Sequence, residues 1–377
     1  MTDFRLIILA LSIVGCSLSA VNPMYGQNVD SLQDVLARSE DPYVQAELNL
    51  QIGNVLFDQE DSAAIDFIRK AVMLASHERE PVIEMRAHHL LYRYLKRYGR
   101  FEEAMVEIDN AITQARIFKD RKEESSYLYF KARSLRKNGF AERSLAPYHQ
   151  ALSLYIDLKD SVQISRCYNE LGIAHKVLGQ YDDAKAFYKQ SLGVSSLMND
   201  SSRIANALNN LGNVIKNQGY LDTALTYYYQ ALEMHEARRD TKMQTNVLNN
   251  IGIVLGNIGA HDQALDYYRN CISLRRMTND TFKVVSAMTN MVTAFKSKNE
   301  QDSALHYARL ALRLGLRRGQ KSSTAHAHEI LGDFKYSEGQ YDSARWHFEQ
   351  GKLIREQIDE KLDVTSNIYR LGKVDMM

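Results

Sequence analysis

From Asp160 to Asn199 the chain reads DSVQISRCYNELGIAHKVLGQYDDAKAFYKQSLGVSSLMN, and the units opening at Asp200 and Asp240 keep its register without a gap. Asp120, Asp160, Asp200, Asp240 and Asp280 open successive units. A carboxylate there can accept from the free N–H groups of a starting helix. Apolar residues follow at helical spacing, as in Ile164, Tyr168, Leu171 and Leu178. Gly99, Gly139, Gly179, Gly219, Gly259 and Gly339 then stop this first helix, since glycine turns left-handed without a steric penalty. Asn299 holds one such place, and Asn is the other residue that tolerates that conformation.

A second helix begins at once, with Asp182, Asp222, Asp262, Asp302 and Asp342 in its first turn, facing the positive end of the helix dipole. It carries two rows of small residues spaced by forty. The first row is Ala64, Ala104, Ser144, Ala184, Ala224, Ala264, Ala304 and Ala344; the second is Ala71, Ala111, Ala151, Ser191, Ala231, Cys271, Ala311 and Gly351. The rows lie two turns apart on one helix face and allow close helix approach. Gly172, Gly212, Gly252 and Gly332 give matching space on the first helix, and Tyr227, Tyr228, Tyr267 and Tyr268 fill volume on the second. An aromatic stripe at this spacing is read as core. A fixed period of this length predicts an array in which each unit stacks on its neighbours.

Leu171-Gly172, Gly179-Gln180-Tyr181, Ala184, Tyr188 and Ser191 fall in the order and spacing that resembles the tetratricopeptide repeat family. The long unit and the doubled asparagines of Asn209-Asn210-Leu211-Gly212 and Asn249-Asn250-Ile251-Gly252 are similar to its kinesin-light-chain-like and bacterial sensor-type branch. The resemblance implies an all-α solenoid, a right-handed superhelix of antiparallel helix pairs. On this reading residues 1–26 are a signal peptide or lipoprotein leader and 27–42 a lead-in. Residues 43–358 form eight repeats, and 359–377 a capping helix or the start of a truncated ninth. Three places depart from the pattern. Gly53 sits one residue out of register with Gln59 in place of the turn glycine, Pro147 falls inside a second helix and should kink it or delay its start, and Val292 replaces a packing glycine.

The 377 residues carry 47 basic and 46 acidic side chains, a formal charge of +1, which argues against nucleic acid as a partner. Phe4 to Val14 is apolar apart from Arg5 and Ser12 and runs into Gly15-Cys16. It is too short and broken for a membrane span and reads as an export signal. Ile13-Val14-Gly15-Cys16 resembles a bacterial lipobox, with Cys16 lipidated; cleavage near Ala20 or Gly26 is the second route and an uncleaved anchor the third. Localisation in a bacterial periplasm or cell envelope follows, with membrane contact only through that leader or lipid. Cys167 and Cys271 lie in non-adjacent repeats, so a disulfide between them is not expected.

Catalytic chemistry finds no candidate residues, and no cofactor is expected: there is no phosphate loop, nucleophile elbow or kinase signature. His88-His89 and His326-Ala327-His328-Glu329 are the only tempting metal clusters, but adjacent or i, i+2 positions on a helix point apart, so no metal site is expected. The resemblance implies that first helices line a concave groove. Asn206, Asn209, Asn210, Asn213 and Lys216, then Asn246, Asn249 and Asn250, fall on that face; an amide both donates and accepts, so Asn209, Asn210, Asn249 and Asn250 could grip a peptide backbone. Arg86, Arg93, Lys96, Arg97, Arg133, Arg136, Lys137, Arg166 and Lys176 make the same face basic nearer the N-terminus, so that Arg133, Arg166 and Lys176, together with Lys216, would favour acidic side chains. The expected function is a non-enzymatic scaffold binding an extended protein segment. The alternative is the periplasmic sensor region of a bacterial signal-transduction protein (histidine kinase, cyclase or transcriptional regulator) whose output domain lies outside this sequence.

Overall fold

The computed structural model describes residues 29–277, 284–358 and 361–377, and every regular element among them is an α-helix. The leader with Cys16 and the capping position Asp280 lie outside the described residues. The chain divides into two compact units, Met1–Gly179 and Gln180–Met377. The first holds α1 (Val29–Arg38), α2 (Pro42–Asp58), α3 (Ala64–His77), α4 (Pro81–Arg97), α5 (Phe101–Phe118), α6 (Arg121–Lys137), α7 (Ala141–Asp157) and α8 (Ser161–Val177). The second holds α9 (Tyr181–Leu197), α10 (Ser201–Asn217), α11 (Leu221–Ala237), α12 (Thr241–Asn257), α13 (His261–Met277), α14 (Val284–Ser297), α15 (Gln301–Arg317), α16 (Lys321–Ser337), α17 (Tyr341–Gln357) and α18 (Lys361–Asp375).

Local sequence sets these boundaries. Asp120 accepts from the backbone N–H of Lys122 and Glu123, and Asp160, Asp200 and Asp240 accept from Gln163, Arg203 and Met243. The turn glycines all have positive φ, from 73° at Gly99 to 88° at Gly219, and Asn299 takes 61°. Gly219→Ala should therefore cost roughly 1–2 kcal/mol, the left-handed penalty of an L residue, measurable as a shifted denaturation midpoint. A second set of left-handed residues is mostly not glycine, Gly319 with φ 63° being the exception. Lys119, Lys159, Asn199 and Arg239 have φ between 52° and 59° just before each capping aspartate. The unit boundary holds this conformation with a long polar side chain in solvent.

Every residue of the two small rows is buried. On the first helices, a Cβ added to Gly212 would lie 2.6 Å from the Tyr228 ring, and one on Gly252 would lie 2.5 Å from that of Tyr268. Gly332 meets Phe348 in the same way. Aromatic ring and glycine are thus the two halves of one contact, made within these three helix pairs. Gly53 and the left-handed Glu60 are both one residue late, so α2 is shifted as a whole and the turn to α3 is longer. The shift still seats Gly53 against Ile68, 2.7 Å from its would-be Cβ. Pro147 does not delay its helix, because α7 starts in register at Ala141 and runs through it to Asp157. Cys167 and Cys271 are buried free thiols, and burial pushes Cys167 up to about 12.

Candidate interaction surfaces

In the first unit, α4, α6 and α8 place Lys96, Arg136 and Lys176 forty residues apart, at one position of three successive first helices. Glu170 on α8 takes two bonds from Arg136, at 3.0 and 2.6 Å, and one from the Tyr148 hydroxyl at 3.2 Å. Arg133 lies 3.9 Å from the same carboxylate, and its buried Nε makes no hydrogen bond among the described residues. Lys96 donates weakly to the Tyr92 hydroxyl at 3.4 Å. That hydroxyl is fixed against α6, 2.7 Å from Ser134 Oγ and 3.2 Å from the Phe130 carbonyl. Lys96, Lys137 and Lys176 make no ion pair among the described residues. Their ammonium groups sit in a field of like charge. Burial and then Arg133 lower the pKa of Lys96, Arg133 above all lowers that of Lys137, and burial and then Arg136 lower that of Lys176.

Aromatic rings interleave these cations. Arg93 and Arg97 lie over the Phe57 ring at 5.0 and 3.8 Å, and Arg97 also donates to the Phe57 carbonyl. Arg166 is exposed, bonded to Gln163 of its own helix and 5.9 Å from the Tyr129 ring. His89 stacks on Phe130 at 5.4 Å. Burial, then Arg93 and Lys96, hold it down at about 3, so it stays neutral. Three members of the expected basic face are spent internally, Arg97 on Phe57 being the first. Arg86 forms a two-bond pair with Glu47 of α2, and Arg136 with Glu170. A partner would find Arg93, Lys96, Arg133, Lys137, Arg166 and Lys176.

In the second unit the asparagines bond to one another. Asn250 donates to Asn209 Oδ1 at 3.0 Å, and Asn290 donates to Asn249 Oδ1 at 3.0 Å, so α10, α12 and α14 are laced by lateral amide bonds. These lateral bonds occupy part of the amide capacity that the sequence reading assigned to a ligand. Asn209 is only 8% exposed. Asn213 Oδ1 accepts from the buried Tyr228 hydroxyl, and Asn246 Oδ1 accepts from buried Arg275. Asn210, Asn249, Asn250 and Lys216 are half-buried, and so is Asn206, whose Oδ1 receives no hydrogen bond among the described residues. Each ladder bond occupies one amide atom of each partner. Asn250→Ala should therefore cost about 1 kcal/mol of stability instead of being silent, because Asn209 loses its donor. A melt matching the wild type would contradict the ladder.

Sequence reasoning missed Asn290, although it stands forty residues beyond Asn250. It also missed the carboxylates Glu47 and Glu170 inside a face read as basic. His88 and His89 turn to different neighbours, His88 to Glu107 at 2.6 Å. His328 and His347 bring their Nδ1 atoms to 3.0 Å, a separation that one N–H···N bond between neutral rings explains. Among the described residues no three His, Cys, Asp or Glu side chains are grouped to hold a metal ion, and no helix is long and apolar enough to cross a membrane.

A family profile described as tetratricopeptide repeat matches residues 123–195 and 203–277. No curated protein matches the chain. Several solved structures do. The apo form of the quorum sensor NprR from B. thuringiensis is 14% identical with a TM-score of 0.64, over 86% of this chain and 91% of that one. Aspartyl phosphate phosphatase F from Bacillus subtilis is 13% identical with a TM-score of 0.62, over 87% and 88%. A Rap protein complexed with competence and sporulation factor is 12% identical with a TM-score of 0.54, over 89% and 98%. At these identities the likeness is one of fold.

Proposed function

This chain is a tetratricopeptide-repeat protein, and from that premise we propose that it is a non-enzymatic scaffold whose first-helix faces bind extended segments of partner proteins. In the first unit the segment is acidic. The observation that carries this reading is the row of lysines Lys96, Lys137 and Lys176, which make no ion pair among the described residues and which neighbouring cations crowd, with Glu170 opposing those cations only at Lys137. Arg93, Arg133 and Arg166 extend the row. Clustered cations of this kind draw acidic ligands and repel basic ones. In the second unit Asn206, Asn210, Asn249 and Asn250 present amides to a peptide backbone, the last two fixed by the ladder, and Lys216 adds a cation. The similar Rap protein, complexed with a factor, supports a binding role for the fold.

Affinity for a fluorescent Glu-rich peptide should fall steadily with added salt, because exposed charges are screened within about 8 Å at physiological ionic strength. A Lys-rich peptide of the same length should not bind. Equal binding of both, without salt dependence, would contradict the proposal. We also propose that residues 1–26 export the protein to a bacterial envelope. Intact-mass measurement from the native host should give a lipidated chain starting at Cys16 or an unmodified one starting near residues 21–27. A chain starting at Met1 and recovered free in the cytoplasm would refute export.

A further inference from the structure

Within that same basic face, and resting on the reading of it as a protein-binding surface, the charge is not evenly spread. Lys137 lies in the field of Arg133, Lys96 and Arg136 together, which outweighs that of Glu170, and Lys96 in that of Arg133. The Lys96 ammonium is anchored to the Tyr92 hydroxyl, which bonds to Ser134, the neighbour of Arg133 in sequence. Four cations therefore gather where α4 meets α6, against one carboxylate, Glu170, whose hydrogen bonds go to Arg136 and Tyr148. Arg133 stands 3.9 Å from it, with an Nε–H that is shielded from solvent and makes no hydrogen bond among the described residues.

We propose that Lys96, Arg133 and Lys137 form a recognition site for a phosphorylated side chain on the bound protein segment. The charge and the donor count both point to a phosphoryl group. A single carboxylate carries one negative charge and two oxygens, and Glu170 already demonstrates that one carboxylate leaves this cluster positive. A phosphoryl group brings about −1.5 to −2 charges at neutral pH and three strong acceptor oxygens. Those oxygens can take the two ammonium groups and the outer guanidinium nitrogens of Arg133, whose side chain is part-exposed, together, in charge-assisted bonds stronger than neutral ones. Burial of the Tyr92–Ser134 bond holds α4 and α6 in register, so the donors are positioned before the ligand arrives.

Three fluorescein-labelled Glu-Ala-rich peptides, differing only in a central serine, glutamate or phosphoserine, test this by anisotropy on the full chain. The phosphoserine peptide should bind about tenfold tighter than the glutamate one, which corresponds to about 1.4 kcal/mol. In a Lys96→Gln, Lys137→Gln variant, the phosphoserine and serine peptides should bind alike. A Lys96→Arg, Lys137→Arg variant should restore the preference, and thermal melts of both variants should match the wild type because these side chains are exposed. Equal affinity of the wild type for the glutamate and phosphoserine peptides overturns the phosphoryl site while leaving the acidic-segment reading intact. Failure of all three to bind overturns both.

Discussion

Glu329→Ala lowers the stability of the second unit by roughly 3–5 kcal/mol, the usual cost of taking one partner from a buried ion pair. Glu329 is 5% exposed and Arg355 is 6% exposed. Arg355 Nε donates to Glu329 Oε1 at 3.2 Å, and the wholly buried Asn367 of α18 donates to the same oxygen at 2.8 Å. One carboxylate thus ties α16 to both α17 and α18. Burial works to raise its pKa, but bonds from His326, Asn367 and Arg355 win and hold it at about 2, below the ordinary 4.5. A folded pKa below the unfolded one stabilises at pH values above the unfolded pKa. That contribution is present above about 4.5 and disappears as the pH falls towards 2. Urea denaturation should show the loss at neutral pH and a narrowing gap between wild type and variant in acid. Glu329→Gln keeps an acceptor for Asn367 without the charge for Arg355 and should fall between them. A variant within about 0.5 kcal/mol of wild type, the range of neutral surface changes, would refute the account of this cluster.

Two glycines one turn apart on α12 should respond to the same substitution with opposite signs. Gly252→Ala drives a methyl group to 2.5 Å from the ring of Tyr268, itself 3% exposed and packed in the core. The ring has no room to withdraw, so the overpacking should cost about 1–3 kcal/mol. At Gly256 a Cβ meets nothing within 4 Å, and the backbone is helical. Gly256→Ala should stabilise by about 0.5–1 kcal/mol, since alanine loses less freedom in a helix than glycine. Paired denaturation curves check the sign. Destabilisation by both, or by neither, would contradict the ring-on-glycine packing proposed for these pairs.

The repeat was legible because backbone requirements recur. Gly219 must turn left-handed and Ala224 must admit a neighbouring helix, so both leave a residue type at a fixed interval. Lys119, Lys159 and Arg239 turn left-handed too, but nothing about a lysine or arginine announces it. Only their place before a capping aspartate could have done so. The candidate sites were less legible for another reason. Asn209 and Asn250 are polar positions on one helix face, and the sequence cannot say whether such an amide looks outward or sideways. Their bond joins residues forty-one apart, one off the repeat period, and only the lateral fit of adjacent helices selects it. Glu47 and Glu170 were hidden in the same way, since each pairs with an arginine of a neighbouring first helix.

Charge reversal on the two faces of the first unit separates binding at the first-helix face from attraction by overall charge. Arg133→Glu with Lys176→Glu alters the first-helix face, and Arg69→Glu with Arg143→Glu alters exposed positions of the second helices by the same net charge. Affinity for one Glu-rich peptide is then measured for both variants at one ionic strength. The first pair should weaken binding at least tenfold, about 1.4 kcal/mol, and the second less than twofold. Equal weakening by both pairs would mean that overall charge alone attracts the peptide, and greater weakening by the second would put the binding surface on the opposite face.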